Sequence, residues 1–301
     1  MEPLQATRAD LIDPAALAAL GRLEVVARWI VDGFMTGLHR SPRKGFSVEF
    51  AEYRPYQAGD DPRYIDWKIA ARADRWVIRQ YEEETNLRAT LVLDVSRSMA
   101  WRGDPSRLTK LDYADRLVAA LALLLLRQRD AVGLVRFDDQ VRSAVSPRAQ
   151  RGQWRRIVSA LEEPGAGAAS AAGEGLRQAA RLVRRRGLVV LVTDLLMDRE
   201  EIEEPLRALR AAGHDVTVLH VMDPAERDFA AGEALYRDPE SGLEVPAAAH
   251  VRTAYRETVD AVVAEWRATF GRLGVGYELV DTSQPFAVPL RRAFAARERL
   301  F

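Results

Sequence analysis

Ala89-Thr90-Leu91-Val92-Leu93-Asp94-Val95-Ser96-Arg97-Ser98 is the stretch on which the fold turns. An apolar run ends in a carboxylate, and hydroxyls follow at alternate positions. Leu188 to Thr193 repeats the arrangement as a continuous apolar run that ends at Asp194. A run of that kind is what a parallel strand needs when helices cover both its faces. Two strands that each end in Asp therefore set the frame, with their polar residues on loops at the carboxyl ends.

Working outward, Leu108 to Gln128 reads as a helix that is apolar almost all round between Leu117 and Leu126, and so should be buried. Ala131 to Phe137 and Val141 to Val145 read as strands. The link Asp138-Asp139-Gln140 is short enough to force a hairpin, which makes one antiparallel pair. Helical spacing recurs at Trp154, Ile157, Val158 and Leu161, at Leu176, Ala179, Ala180 and Val183, and at Ile202, Leu206 and Leu209. Val216 to Val221 and Tyr277 to Val280 are further strands. The stripe Tyr255, Val259, Val262, Val263, Trp266, Phe270 and Leu273 marks a long helix between them, and Pro285 opens a last one through Arg297. Tyr236 to Val245, folded around Pro239 to Gly242, reads as a protruding hairpin. Upstream, Asp13-Pro14 is a helix start, and that helix is expected to run to Leu38.

Alternation of strands and helices predicts an α/β fold: a doubly wound, mostly parallel six-stranded sheet with one antiparallel edge strand. The predicted order places 141–145, 131–137, 89–93, 188–193, 216–221 and 277–280 side by side, with the strands ending at Asp94 and Thr193 in the middle. The expected division is an N-terminal α+β extension, residues 1–86, and the sheet domain, residues 87–301, with a hairpin insertion near 234–246. Residues 1–86 carry many charges and few long apolar runs, so they are expected not to fold alone.

The chain has 301 residues, 48% hydrophobic and 29% charged, which excludes wholesale disorder. Its 44 Lys+Arg balance 44 Asp+Glu, so electrostatics offer no argument for nucleic acid. Only Lys44, Lys68 and Lys110 are lysines. The absence of cysteine excludes disulfides, thiolate catalysis and Cys-ligated zinc. The longest apolar run, Leu117 to Leu126, is too short to span a bilayer, and the N-terminus has no signal-peptide pattern. The expected location is the cytoplasm. His39, His214, His220 and His250 lack metal-ligand spacing, and there is no phosphate loop or nucleophile elbow.

In a doubly wound sheet, chemistry is sought beyond the carboxyl strand ends. There the sequence collects Asp94, Ser96, Ser98 and Asp194, with Ser170 in the small-residue loop ahead of Leu176. Asp and Ser at strand ends also cap helices and close turns. As a set, however, these are hard oxygen donors suited to magnesium or manganese. Asp94-x-Ser96-x-Ser98 with Asp194 resembles the metal-ion-dependent adhesion site of von Willebrand factor A domains. Ser170 stands where that pattern has threonine. The resemblance implies a weakly held Mg2+ or Mn2+ whose open coordination a partner's carboxylate completes. Asp94→Ala is expected to leave the fold nearly intact while abolishing metal-dependent partner binding.

A longer signature covers Glu49, Glu52, Arg54, Gly59-Asp60-Asp61-Pro62, Arg63, Asp66, Trp67 and Arg72, then Tyr81-Glu82-Glu83-Glu84. It resembles the bacterial domain-of-unknown-function family 58, whose core is von Willebrand A-like, over roughly 40–282. Read as chemistry alone, the stretch is a turn within a dense ionic network around Trp67 and Trp76. The resemblance implies a non-enzymatic protein-interaction or adaptor role beside a MoxR-type AAA+ ATPase or its client, with no catalytic residues. The alternative from the same oxygen cluster is a metal-dependent hydrolase or phosphatase, although no His, Lys or Cys is expected to accompany the cluster as nucleophile or base.

Overall fold

The computed structural model describes residues 14, 22–39, 53–55, 76–79, 87–164, 172–228, 234–237, 244–247 and 252–297. The chain divides into two compact units, residues 41–86 and the remainder. Of the smaller unit, the described part is an antiparallel pair, β1 (Tyr53–Pro55) with β2 (Val77–Arg79). The Gly59 to Pro62 turn and almost all of the expected ionic network lie outside the described residues.

In the larger unit, six strands form one sheet: β3 (Arg88–Asp94), β4 (Ala131–Phe137), β5 (Val141–Arg148), β6 (Leu188–Thr193), β7 (Asp215–Met222) and β10 (Gly276–Asp281). Their order is β10-β7-β6-β3-β4-β5, as the sequence predicts, with β3 and β6 at the centre. All neighbours are parallel except β4 and β5. Pro147 is tolerated in β5 because that strand is the edge. β8 (Ala234–Arg237) and β9 (Glu244–Ala247) pair antiparallel, and the Pro239 to Gly242 turn falls outside the described residues.

Alternation of side chains along each strand separates two apolar cores. Leu91 and Leu93 of β3, with Val190 and Val192 of β6, face one layer. That layer contains α1 (Leu23–His39), α2 (Lys110–Arg127), α3 (Gln153–Leu161) and α8 (Ala287–Arg297). Val92, Val189 and Leu191 face the other, built from α4 (Ala172–Leu182), α5 (Arg199–Ala211) and α7 (Arg252–Leu273). The remaining helix, α6 (Pro224–Arg227), is a single turn after β7. α2 is apolar on nearly every side because it lies between the sheet and α1, whose Val26, Ala27, Ile30, Val31 and Phe34 are buried in the same core.

Two details depart from the sequence reading. The helix expected from Asp13 to Leu38 is not continuous: Arg22 is non-helical, and its carbonyl accepts from the Val25 and Val26 N–H groups that open α1. α1 packs in the core of the sheet unit. The stripe on α7 is shorter than its sequence suggests: Val263, Trp266 and Phe270 are buried, while Tyr255 and Val262 are exposed. A helix of 22 residues extends about 33 Å. Its first half is held to α6 by polar contacts instead: Arg252 Nε to Asp228 at 2.5 Å, Tyr255 Oη to the Glu226 carbonyl at 2.7 Å, and Arg227 Nε to Asp260 at 2.8 Å.

Candidate functional site

The central strands deliver both aspartates to the same edge. Register pairs Leu93 with Val192, so Asp94 and Thr193 come level and Asp194 follows one residue on. Asp94 is the last residue of β3 and is 1% exposed, a strand-end side chain rather than the loop carboxylate the sequence suggests. Its Oδ1 accepts from the Ser96 N–H at 2.9 Å and its Oδ2 from the Thr193 hydroxyl at 2.7 Å. Asp94→Ala would therefore orphan two buried donors, so the expectation of an almost intact fold is revised. The Ser96 and Ser98 hydroxyls lie 3.2 Å apart at the start of a short 3-10 turn, Arg97–Ala100.

Beyond β6 the chain turns sharply. Leu195 has φ +57°, a left-handed conformation that a branched side chain rarely adopts. Its N–H is held by the Thr193 hydroxyl at 3.1 Å, and the next N–H, that of Leu196, donates to Asp194 Oδ1 at 3.3 Å. The turn leaves Leu196 56% exposed beside the strand end.

Electrostatics here are governed by residues the sequence reading did not single out. Lys110, the first residue of α2, is completely buried. Its Nζ donates to Asp194 Oδ2 at 2.8 Å and to Glu226 Oε1, and lies 5.9 Å from the centre of the Trp101 ring. Burial works against the ammonium, but the two carboxylates outweigh it and hold its pKa above the usual lysine range. Glu226 is itself fixed by a capping box: its Oε2 accepts from the Asp223 N–H at 2.8 Å, and Asp223 Oδ1 accepts from the Ala225 N–H at 2.8 Å. Burial pushes the Glu226 carboxyl up, against the pull of Lys110.

Asp94 differs from Asp194. No basic side chain bonds it among the described residues. Burial, and then the charge of Asp194, push its carboxyl up to about 7, despite the hydrogen bonds from Ser96 and Thr193. His220, also near Asp194, is pushed down to about 4 by burial, and its Nδ1 lies 2.8 Å from the Tyr277 hydroxyl. It is a buried histidine whose ring is held within the core.

Asp94, Ser96, Ser98 and Asp194 thus share one strand end. Ser170 lies outside the described residues. Among the described residues no three His, Cys, Asp or Glu side chains group closely enough to hold an ion, so a divalent ion here would depend on hydroxyls. The donor set fits such an ion on one side only: a buried carboxylate without a counter-cation lies next to two converging hydroxyls, whereas Asp194 already holds an ammonium. Thr193, Lys110 and Glu226 were missed, and Lys110 overturns the expectation that no lysine accompanies the cluster. The signals for them were the hydroxyl preceding Asp194, a lysine in an arginine-dominated chain, and the Asp223-Pro-Ala-Glu226 capping pattern.

A family described as a protein of unknown function, DUF58, matches residues 52–268. Uncharacterized protein Rv1480 of Mycobacterium tuberculosis is 29% identical over 307 residues, covering 99% of this chain and 95% of the relative. Among solved structures, conserved hypothetical protein BatB of Bacteroides thetaiotaomicron covers 70% of this chain and 95% of its own at 18% identity and a TM-score of 0.44. The VWA domain of SpRpn10 covers 68% of this chain and 95% of its own at 15% identity and a TM-score of 0.39.

Proposed function

The chain belongs to the DUF58 family of proteins of unknown function, and from that premise we propose that it is a protein-interaction module with its docking centre at the carboxyl end of β3 and β6. Its partner is a MoxR-type AAA+ ATPase or that ATPase's client. A divalent ion, Mg2+ or Mn2+, takes part as a weakly held bridge. Asp94, Ser96 and Ser98 would hold it, with Ser170 and Asp194 completing the set, and it would supply a Lewis-acidic seat for a partner's carboxylate. With so few protein charges facing the ion, water must fill much of its shell, which keeps affinity low.

The observation that carries the reading is the pairing of a buried, cation-free Asp94 with two hydroxyls 3.2 Å apart. Exposed Leu196 beside it offers an apolar contact at the same edge. The hydrolase alternative would need a free base or nucleophile at this place, whereas Lys110 is engaged by Asp194 and Glu226, and His220 by Tyr277. The test is binding of the full chain to a MoxR-type ATPase with magnesium and with chelator. We expect chelator, or Asp94→Asn, to weaken binding at least about tenfold. Equal binding in all three conditions would remove the metal from the mechanism, and no binding in any would remove the partner.

A further inference from the structure

We propose that the Lys110 ammonium is the resident cation of Asp194 and competes with a divalent ion for it, so that ion binding at this strand end and the Lys110–Asp194 bond exclude each other. The proposal deepens the reading above and rests on its claim that a divalent ion binds here.

The position of Lys110 is costly unless it serves the carboxylates. It opens α2, where the helix presents its own partial positive charge, so a cation is disfavoured there. It is also removed completely from solvent, which penalises an ammonium further. What offsets both is contact with Asp194 Oδ2 at 2.8 Å and with Glu226 Oε1. Residue type fits the role as well. Arginine fills 41 of the 44 basic positions (44 minus three lysines), yet this seat has one of the three lysines. An ammonium is a compact point charge, closer to a bound ion than a planar guanidinium is.

Competition follows from the occupancy of Asp194. Its Oδ1 accepts from the Leu196 N–H and its Oδ2 from Lys110. An ion reaching Asp194 Oδ2 meets the ammonium already bound there, and two cations at one oxygen repel, which favours one over the other. Glu226 makes the exchange feasible. It is locked in place by the Asp223 N–H, so Lys110 keeps a carboxylate partner after Asp194 is lost. Two arrangements of the same cluster result. In one Lys110 bridges Asp194 and Glu226; in the other it pairs with Glu226 alone and the ion faces Asp94, Ser96, Ser98 and Asp194. Asp94 bonds no basic side chain among the described residues, so positive charge arriving beside it displaces no cation there.

The chain's few lysines make this measurable. With Lys44 and Lys68 replaced by Arg, Lys110 is the sole lysine, and its Cε and Nζ resonances in lysine-labelled full-length protein report on it alone. Magnesium chloride is titrated in, and Mn2+ affinity is measured for wild type and Lys110→Met. We expect the Lys110 resonances to move with the midpoint of ion binding, and Lys110→Met to bind Mn2+ at least about tenfold more tightly, since a repelling charge is gone. Mn2+ binding by Lys110→Met alone would also support the proposal, as complete exclusion. If both proteins bind Mn2+ equally while the Lys110 resonances stay still, competition is wrong and the metal reading stands. Binding by neither overturns both. Should Lys110→Met fail to fold, the magnesium titration of the single-lysine protein decides, because unmoved resonances at saturating magnesium refute the proposal.

Discussion

Replacing Asp94 by Asn should stabilise the protein at alkaline pH and not at acid pH. Asp94 is buried and lies beside Asp194, and its carboxyl is pushed up to about 7 from a usual value of 3.8. A carboxyl raised on folding leaves stability whole below its unfolded pKa and subtracts from it progressively as pH rises to the folded pKa. The loss therefore accumulates between about pH 4 and pH 7 and is constant above. A shift of about 3 units corresponds to roughly 4 kcal/mol, an upper bound because the buried site can relax around Asp94 when it ionises. Asn is neutral throughout and keeps an oxygen for the Ser96 N–H. Its amide, however, faces the Thr193 hydroxyl that donates to Asp94 Oδ2. Thr193 must then accept instead of donate, at a cost of about 1 kcal/mol. Asp94→Asn should thus be about 1 kcal/mol less stable than wild type near pH 4 and about 1–3 kcal/mol more stable near pH 8. Urea unfolding of both proteins from pH 4 to pH 8.5, with chelator present, measures it. A difference that does not change with pH would refute the claim that Asp94 is a buried carboxylate without a counter-cation.

Gly175 in α4 backs onto the β4–β5 link, and a Cβ there would drive into the Asp138 carbonyl oxygen, which is backbone and cannot swing aside. Gly175→Ala should cost about 1–3 kcal/mol in urea unfolding, and an unchanged midpoint would mean that α4 does not approach the hairpin so closely. Residues 1–86 expressed alone should show no cooperative thermal transition by circular dichroism, because the apolar face of α1 is buried against residues beyond 87. A sharp transition would show a core that those residues build by themselves.

The sheet was legible because its signals are local and periodic. Continuous apolar runs at 89–93 and 188–193 mark strands covered on both faces, and the three-residue link at 138–140 allows only a hairpin. Right-handed crossovers then leave little freedom in strand order. Where periodicity lacks a partner surface, it misleads. Tyr255 and Val262 keep the spacing of Val263, Trp266 and Phe270, yet α7 is held near its start by ion pairs with α6 and not by a core.

At the site, the sequence disclosed the residues that follow strands and concealed those that arrive from elsewhere. Asp94, Ser96, Ser98 and Asp194 announce themselves by position in a motif. Lys110 and Glu226 stand 84 and 32 residues from Asp194, at the starts of two separate helices, and only the packing of α2 and α6 against the same sheet edge brings them to it (194 minus 110; 226 minus 194). An ion pair between distant helix starts has no period and no fixed spacing, so nothing in the chain order encodes it. What the sequence did carry was an anomaly of composition, a lysine at a helix start in a chain that otherwise uses arginine. Among the described residues, Asp194 therefore has a cation supplied by the chain itself, and Asp94 bonds no basic side chain. On the proposed metal reading, that asymmetry predicts that replacing Lys110 changes ion affinity more than replacing Ser170 by Thr does.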